Sequence, residues 1–218
     1  TPALPSAGGW PVRKIAILTC ALVALCLSAH CEPHPHSPLD SPTREAVQKP
    51  DEVVTLANIQ EGMVVADVGA GTGYFESRLS RAVGPRGRVL AVDIEADLVS
   101  QMKARFAREG LVNVKAKLGT PDDPGLPASG VDRILLVDTW HHLQNRSAFA
   151  QTLRKALKPT GQLVIVDYTL EAPVGPPAAM RLSPDTVIQE LEAVGLRARV
   201  VPETLPNQYV IVAEGSAP

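Results

Sequence analysis

The fold of this chain is indicated by one stretch, Asp67-Val68-Gly69-Ala70-Gly71-Thr72-Gly73-Tyr74-Phe75, which follows a short β-branched run and opens a helical pattern. Glycines allow the backbone to turn sharply and to approach a ligand closely, where any Cβ would intrude. Their spacing is G-x-G-x-G and differs from the G-x-G-x-x-G of dinucleotide-binding folds. Asp93 ends the next β-branched run, where an acid can accept hydrogen bonds from both ribose hydroxyls of a nucleoside. The pattern predicts a nucleoside-binding turn, with a plain strand-to-helix turn and a solvated aspartate as the alternative.

Short β-branched runs and helical segments alternate from Glu45 onward, which is typical of a mostly parallel sheet covered on both faces. The predicted strands are Val64–Val68, Arg88–Val92, Val114–Leu118, Asp132–Val137 and Gln162–Asp167. Apolar residues four positions apart predict helices between them, at Leu98, Met102 and Phe106 and at Phe149, Leu153 and Leu157.

A last helix and two last strands are predicted near the end of the chain. Ser183 is suited to cap the helix, Pro184 suits its first position, and Gly195 is a stop signal. Its buried stripe is Val187, Leu191 and Val194. The runs Arg197–Val201 and Gln208–Ala213 have no helix between them. We expect them to pair antiparallel, because a tight connection cannot make a parallel crossover.

The composition is that of an ordinary globular domain. The chain has 218 residues, of which 45% are hydrophobic and 20% charged, which excludes a disordered acidic chain and a fibrous repeat. Lys and Arg number 21 against 23 Asp and Glu, so the chain lacks the basic balance usual for nucleic-acid binding, and no nucleic-acid partner is expected. All three cysteines lie within the first 31 residues. The rest of the chain therefore has no disulfide, cysteine nucleophile or thiolate metal site.

The N-terminal part carries an export-type pattern. The run Ile15–Ala29 is almost wholly apolar and follows Arg13 and Lys14, but it is shorter than the roughly 20 residues of a spanning helix. It is typical of a secretory signal segment. Cys31 resembles a bacterial lipoprotein cleavage site, although His30 is larger than the residue usual before such a cysteine. A simple signal peptide and an uncleaved anchor are the alternatives.

Three parts are therefore predicted. Residues 1–31 form a signal, lipoprotein-like or anchor segment, residues 32–44 form a proline-rich linker, and residues 45–218 form the globular domain. The oligomeric state is left open.

From about Arg44 to Glu214 the sequence resembles the class I S-adenosylmethionine-dependent methyltransferases, in a small bacterial-type form. The matching pieces are Ala66–Gly73, Val92–Ile94, Gly119–Asp123, Val131–Asp138 and Leu157–Leu163. The resemblance implies a Rossmann-like, doubly wound α/β sheet of seven strands, mostly parallel, with an antiparallel C-terminal pair. One departure is Thr160, where the family more often has glycine, and we expect a slightly altered turn there.

The resemblance also implies the cofactor, S-adenosyl-L-methionine, and the residues that hold it. These are Asp67, Gly69, Ala70, Gly71, Thr72 and Gly73 for the methionine end, Asp93 and Ile94 for the ribose, and Gly119 and Thr120 for the adenine side. The expected reaction is methyl transfer to a small-molecule acceptor by in-line displacement. The alternative is a non-catalytic, membrane-tethered sensor or structural module that binds the cofactor.

Reacting groups in an open α/β sheet gather beyond the carboxyl ends of the strands. His141 is the first candidate there for a base or substrate contact, because a neutral imidazole works near pH 7. Asp138 and Asp167 complete the predicted catalytic set. The two acids are also suited to a divalent ion, but the third ligand is missing and no metal is predicted. A structural hydrogen bond is the alternative for each histidine.

Four further residues are predicted to contact the acceptor, and they are His142, Tyr168, Arg181 and Lys49. Arg181 is suited to clamp an anionic substrate, with a surface salt bridge as the alternative. The identity of the acceptor does not follow from these residues.

Two inferences about location conflict. Arg13 and Lys14 before the apolar run would keep the N-terminus in the cytoplasm and send the body across the membrane. This predicts a membrane-associated or periplasmic protein. S-adenosylmethionine is made and kept in the cytoplasm, and this favours a cytoplasmic location instead.

Overall fold

The computed structural model describes residue 1 and residues 42–215. The predicted signal, lipoprotein-like or anchor segment, with all three cysteines, therefore lies outside the described residues, as does most of the predicted linker. A first helix already begins at Pro42, within that linker. Among the described residues no helix combines the length and the apolar character needed to cross a membrane.

The described strands and helices alternate through most of the domain, but α1 and α2 are consecutive helices and no helix lies between β3 and β4. The helices are α1 (Pro42–Gln48), α2 (Pro50–Leu56), α3 (Glu76–Val83), α4 (Ala96–Glu109), α5 (Arg146–Ala156) and α6 (Pro184–Glu192), with short 3₁₀ turns at Trp140–His142 and Ala178–Met180. The strands are β1 (Val64–Val68), β2 (Arg88–Asp93), β3 (Val114–Leu118), β4 (Val131–Val137), β5 (Leu157–Tyr168), β6 (Leu196–Val201) and β7 (Gln208–Gly215).

The seven strands form one sheet in the order β3-β2-β1-β4-β5-β7-β6. Strands β1 to β5 are parallel, whereas β7 lies antiparallel to both β5 and β6. The predicted Rossmann-like sheet with its antiparallel C-terminal pair is confirmed. The chain turns outward from β1 through β2 and β3 and then returns to β4 on the other side of β1. In sheets of this kind ligands bind beyond the carboxyl ends at this switch point.

Helices cover both faces of the sheet. On one face α5 and α6 bury Leu153, Val187 and Leu191 against the central strands. On the other face α2 and α3 bury Val53 and Leu79. The last helix begins as predicted, because the Ser183 side chain accepts a hydrogen bond from the Thr186 N–H and Pro184 occupies the first turn.

Leu157 corrects the sequence interpretation. It is predicted to belong to the stripe of a helix, but α5 ends at Ala156, and Leu157 is the first residue of β5, paired with Val131. Pro159 explains the early end of the helix, because a proline disfavours helical backbone in the residue before it. Strand β5 consequently starts before the predicted Gln162. Its pairing with β4 shifts register between Val131 and Arg133.

Replacing Leu153 by alanine is expected to lower the free energy of unfolding by about 2–5 kcal/mol, because the fully buried side chain would leave a cavity. Chemical denaturation monitored by circular dichroism measures this difference. Gln151→Ala, an exposed change on the same helix, is the control and should stay within about 0.5 kcal/mol. Equal midpoints for the two variants would contradict the packing described for α5.

Candidate active site

The glycine-rich loop connects β1 to α3 in a conformation that requires glycine. Gly69, Gly71 and Gly73 have φ angles of 80°, 60° and 82°, a region that L side chains avoid. Space is also restricted, since a Cβ on Gly69 would lie 2.2 Å from Thr139 Oγ1, and one on Gly73 would lie 2.8 Å from Phe106 Cε1. The loop therefore passes close to the end of β4 on one side and to α4 on the other.

Asp93 ends β2 and anchors the glycine-rich loop. Its carboxylate accepts hydrogen bonds from the Gly71 N–H at 2.8 Å and the Glu95 N–H at 3.0 Å. A carboxylate has about four acceptor positions. The two that remain fit the two hydroxyls of a ribose, so this site is chemically suited to a nucleoside.

Two large apolar side chains stand exposed beside Asp93. Ile94 is 53% exposed and Leu118 is 52% exposed. Leu118 is paired with Asp93 across β2 and β3, and the Gly119 N–H donates to the Asp93 carbonyl at 2.9 Å. Exposed apolar surface at this edge fits the flat face of a purine. The sequence interpretation missed Leu118, because only the strand register places it next to the ribose site.

Thr120 and Ala70 occupy the turns that border this region. Thr120 closes a tight turn with Asp123, since its backbone N–H donates to the Asp123 carbonyl at 2.9 Å. Ala70 is buried, and its N–H donates to the Val92 carbonyl at 3.0 Å. The predicted cofactor residues of β1, β2 and β3 therefore converge on one edge of the sheet.

Two buried carboxyl groups flank the glycine-rich loop. Asp67 precedes the loop in β1, and Glu76 follows it as the first residue of α3. Burial raises the pKa of Asp67 to about 7, although a hydrogen bond with Glu76 and the charge of Arg44 act in the opposite direction. Burial and the neighbouring Asp67 raise the pKa of Glu76 well above its ordinary value. Sequence reasoning did not identify Glu76, since it reads as an ordinary acid in a helical first turn.

Asp138 follows β4 and is held between two amide side chains. It accepts hydrogen bonds from Gln48 Nε2 at 2.8 Å and from Gln208 Nε2. Burial raises its pKa to about 6, with the Gln48 hydrogen bond opposing that rise. Its φ angle is 53°, a conformation that costs energy outside glycine and is common at functional sites.

His141 and Asp167 form a buried pair at the ends of β4 and β5. His141 Nδ1 lies 2.7 Å from Asp167 Oδ1, and each side chain is 2% exposed. The carboxylate also accepts the backbone N–H groups of His141 and Tyr168, at 3.2 and 2.8 Å. This bond places a proton on Nδ1 and leaves the Nε2 lone pair of a neutral imidazole as the acceptor. No described residue hydrogen-bonds to Nε2.

His142 and Tyr168 lie beside this pair. The His142 ring is exposed, and its centroid is 4.1 Å from that of His141. Partial burial lowers the pKa of His142, and the adjacent His141 lowers it further. The pKa of Tyr168 is raised, first by burial and then by the charge of Asp138. The His142 ring therefore lies next to the predicted base, and Tyr168 contacts Asp167 through its backbone N–H.

The other two predicted acceptor contacts hold the protein's own loops. Arg181 donates to the backbone carbonyls of Leu170, Ala172, Val174 and Pro176. This engages most of its five N–H donors and closes the loop after β5. The predicted contact of Arg181 with the acceptor stays a prediction. Lys49 Nζ lies 2.6 Å from both the carbonyl and the hydroxyl oxygen of Thr204, which joins α1 and α2 to the β6–β7 connection.

Helices α1 and α2 cover the glycine-rich loop. The guanidinium of Arg44 stacks 4.1 Å from the centroid of the Tyr74 ring, and the Tyr74 hydroxyl donates to Glu45 at 2.8 Å. Arg78 on α3 pairs with Glu45 and, at 3.0 Å, with Asp51. These contacts hold α1 and α2 against the glycine-rich loop and α3.

The carboxyl groups of Asp138 and Asp167 have different hydrogen-bond partners. Asp167 faces His141, whereas Asp138 faces the amides of Gln48 and Gln208. Within residues 42–215 no group of three or more histidine, cysteine, aspartate or glutamate side chains is placed to hold a metal ion.

Comparison with known proteins agrees with this arrangement. The family described as a methyltransferase domain matches residues 59–195, and the chain belongs to it. A solved S-adenosylmethionine-dependent methyltransferase from Aquifex aeolicus is 33% identical, with a TM-score of 0.76 over 80% of this chain and 94% of that one. The protein is thus a class I S-adenosylmethionine-dependent methyltransferase, and S-adenosyl-L-methionine is its cofactor.

Curated relatives match the chain over part of their length. A ubiquinone/menaquinone biosynthesis C-methyltransferase, UbiE of Hydrogenovibrio crunogenus, is 26% identical over 53% of this chain and 46% of its own. The nocamycin O-methyltransferase of Saccharothrix syringae is 29% identical over 58% of this chain and 43% of its own. The chain spans about half the length of these relatives.

Replacing Asp93 by alanine is expected to weaken S-adenosylmethionine binding by about 1.5–3 kcal/mol, because the carboxylate would be lost both to the ribose and to the Gly71 N–H. Isothermal titration calorimetry on the folded variant measures the loss. Glu61→Ala removes an exposed acid that pairs with Arg86 and serves as the control. Unchanged affinity in a folded Asp93→Ala protein would contradict the ribose assignment.

Proposed function

We propose that this protein transfers a methyl group from S-adenosylmethionine to a small-molecule acceptor, with His141 as the general base and Asp167 as the group that orients it. The observation that carries this proposal is the buried 2.7 Å bond between His141 Nδ1 and Asp167 Oδ1. A carboxylate on one ring nitrogen fixes the tautomer and stabilises the imidazolium that forms when the other nitrogen takes a proton.

The position of the pair relative to the cofactor loop supports the proposal. Thr139 packs against Gly69, with only 2.2 Å between its hydroxyl oxygen and the place where a Gly69 Cβ would be. His141 follows Thr139 by two residues, within the same short turn after β4. The proposed base is therefore on the segment that borders the proposed methionine end of the cofactor, which Asp67 and the glycine-rich loop would hold.

The mechanism combines two contributions, which are the positioning of the acceptor and the removal of its proton. When bound, the cofactor supplies a methyl group on a sulfonium, which reacts by in-line displacement. Holding an acceptor in line and excluding water lowers such a barrier by roughly 7–11 kcal/mol. His141 Nε2 would accept the proton of a hydroxyl, amine or acidic C–H as the acceptor reacts. Asp138, His142 and Tyr168 would surround the acceptor at the same edge.

The acceptor is proposed to be a small molecule for two reasons. The curated relatives are named for methylation in ubiquinone/menaquinone biosynthesis and of nocamycin, which are small molecules. The overall charge balance, 21 basic against 23 acidic residues, does not favour a polyanion such as nucleic acid.

His141→Ala is expected to lower the turnover number by roughly 10²–10⁴, since the general base would be lost. Affinity for S-adenosylmethionine, measured by calorimetry, should stay unchanged because the ring does not belong to the cofactor loop. The assay follows release of S-adenosylhomocysteine with panels of O-, N-, S- and C-nucleophiles. A folded variant with wild-type turnover would assign His141 a structural role. Cofactor binding without turnover on any panel would favour the non-catalytic module instead.

We further propose that residues 13–31 attach the enzyme to a membrane, with its body on the exported side. The support is the basic pair Arg13 and Lys14 before the apolar run Ile15–Ala29. In a bacterial host the full chain should sediment with membranes, and a variant without residues 1–31 should not. Protease added to intact spheroplasts should digest an exported body. A protected body would indicate an inward-facing enzyme, and a soluble full-length chain would contradict the attachment.

A further inference from the structure

Glu76 is a buried acid whose polar atoms no donor satisfies. Its residue is fully buried, and neither carboxyl oxygen accepts a hydrogen bond from any N–H or O–H donor of the described residues. The neighbouring carboxyl of Asp67, itself 2% exposed, raises the pKa of Glu76 through its charge and through a hydrogen bond between the two acids. Two ionised carboxylates have no hydrogen to share, so a bond between them requires that one carries a proton.

Burial makes this shared proton a physical necessity. An unpaired buried carboxylate costs several kcal/mol or neutralises, and two adjacent ones cannot both ionise near neutral pH. The charged groups that face the pair come from three elements. Arg44 on α1 and Arg105 on α4 favour ionisation, whereas Asp93 at the end of β2 opposes it. The pair therefore loses its first proton close to neutral pH.

The pair lies beneath the cofactor loop. Asp67 and Glu76 bound the glycine-rich segment on either side, and Glu76 Oε2 is 3.4 Å from the place where a Gly73 Cβ would be. The remaining buried side chains of α3, Leu79 and Val83, are apolar and need no acid beside them. A protonated carboxyl at this position donates a hydrogen bond to Asp67. It thereby orients the Asp67 carboxylate toward a ligand that binds there.

We propose that Glu76 is a cofactor-positioning residue: it donates a shared proton to Asp67, and the pair releases one proton to solvent when the ammonium group of S-adenosylmethionine binds against Asp67. The inference rests on the proposed contact between Asp67 and the methionine end. In the step, the Asp67 O–H bond breaks and its proton goes to water, while the resulting carboxylate pairs with the ammonium. Glu76 keeps its proton and holds that carboxylate in place. No further reactant is needed.

The sign of the pH dependence follows from this balance. The pKa of Asp67 is raised to about 7 in the free protein, so the acid form prevails below pH 7 and must lose its proton before it pairs with a cation. Affinity for S-adenosylmethionine should therefore fall about tenfold between pH 8 and pH 6, and the protons released per molecule bound should rise from near zero to about 0.9.

Calorimetry of the full chain in buffers of different ionisation enthalpy measures the released protons. S-adenosylhomocysteine keeps the ammonium but has no sulfonium charge, so it should release as many protons as S-adenosylmethionine. 5′-Methylthioadenosine lacks the amino-acid end and should release none. Binding of S-adenosylmethionine at pH 6 without proton release would overturn the proposal, and equal release by 5′-methylthioadenosine would assign the proton to another group. Absence of binding at every pH would instead contradict the cofactor itself.

Two variants separate proton sharing from a merely structural role. In Glu76→Gln a neutral amide donor replaces the protonated acid, so affinity at pH 8 should stay within about threefold and proton release at pH 6 should stay close to that of the wild type. Glu76→Leu removes the donor, so affinity at pH 7 should fall about tenfold and the release should shift to higher pH. Glu61→Gln, at an exposed ion pair, is the control and should match the wild type. Equal affinity of folded Glu76→Leu and Glu76→Gln proteins would overturn the proposal, and the wild-type measurement stands even where a variant fails to fold.

Discussion

The hydrogen bond from the Gly71 N–H to the Asp93 carboxylate joins the ends of the first two strands at the proposed cofactor site. Gly71 has a left-handed φ of 60°, a conformation that glycine adopts without a Cβ penalty and that the loop requires at this position. The other Asp93 oxygen accepts the Glu95 N–H at the start of α4. One carboxylate thus positions both the glycine-rich loop and the beginning of a helix, and it keeps lone pairs for a ribose.

Local signals in the sequence were sufficient for the sheet and for this loop. Glycine spacing, β-branched runs and the Ser183-Pro184 helix start each depend on residues close together in the chain. The turn, the strands and the helix start that they predict are present in the structure, whereas nucleoside binding at the turn stays a prediction. Leu157 shows where such signals fail, because a buried leucine fits the stripe of a helix and the face of a strand equally well. Pro159 decided the outcome, through a backbone restriction that the apolar pattern does not contain.

The contacts between residues of the site could not be predicted from the sequence, for a different reason. Gln48 and Gln208 reach Asp138 from 90 and 70 residues away, so no local pattern links them. Leu118 stands beside the ribose site only because β2 and β3 pair in one particular register. Glu76 has the ordinary sequence signature of a helical first turn, and its burial against Asp67 depends on how tightly the glycine-rich loop is wound.

The site combines residues inside the part of the chain that matches the family with residues outside it. Asp138, His141 and Asp167 lie within residues 59–195, the part that matches the methyltransferase domain family. Both amides that hold Asp138 come from outside it, Gln48 from α1 and Gln208 from β7, and so does Arg44, whose charge acts on both Asp67 and Asp138. The environment of these residues is therefore completed by elements that lie outside residues 59–195. Those elements set the hydrogen bonding and part of the charge around Asp138, a residue that is proposed to lie beside the acceptor.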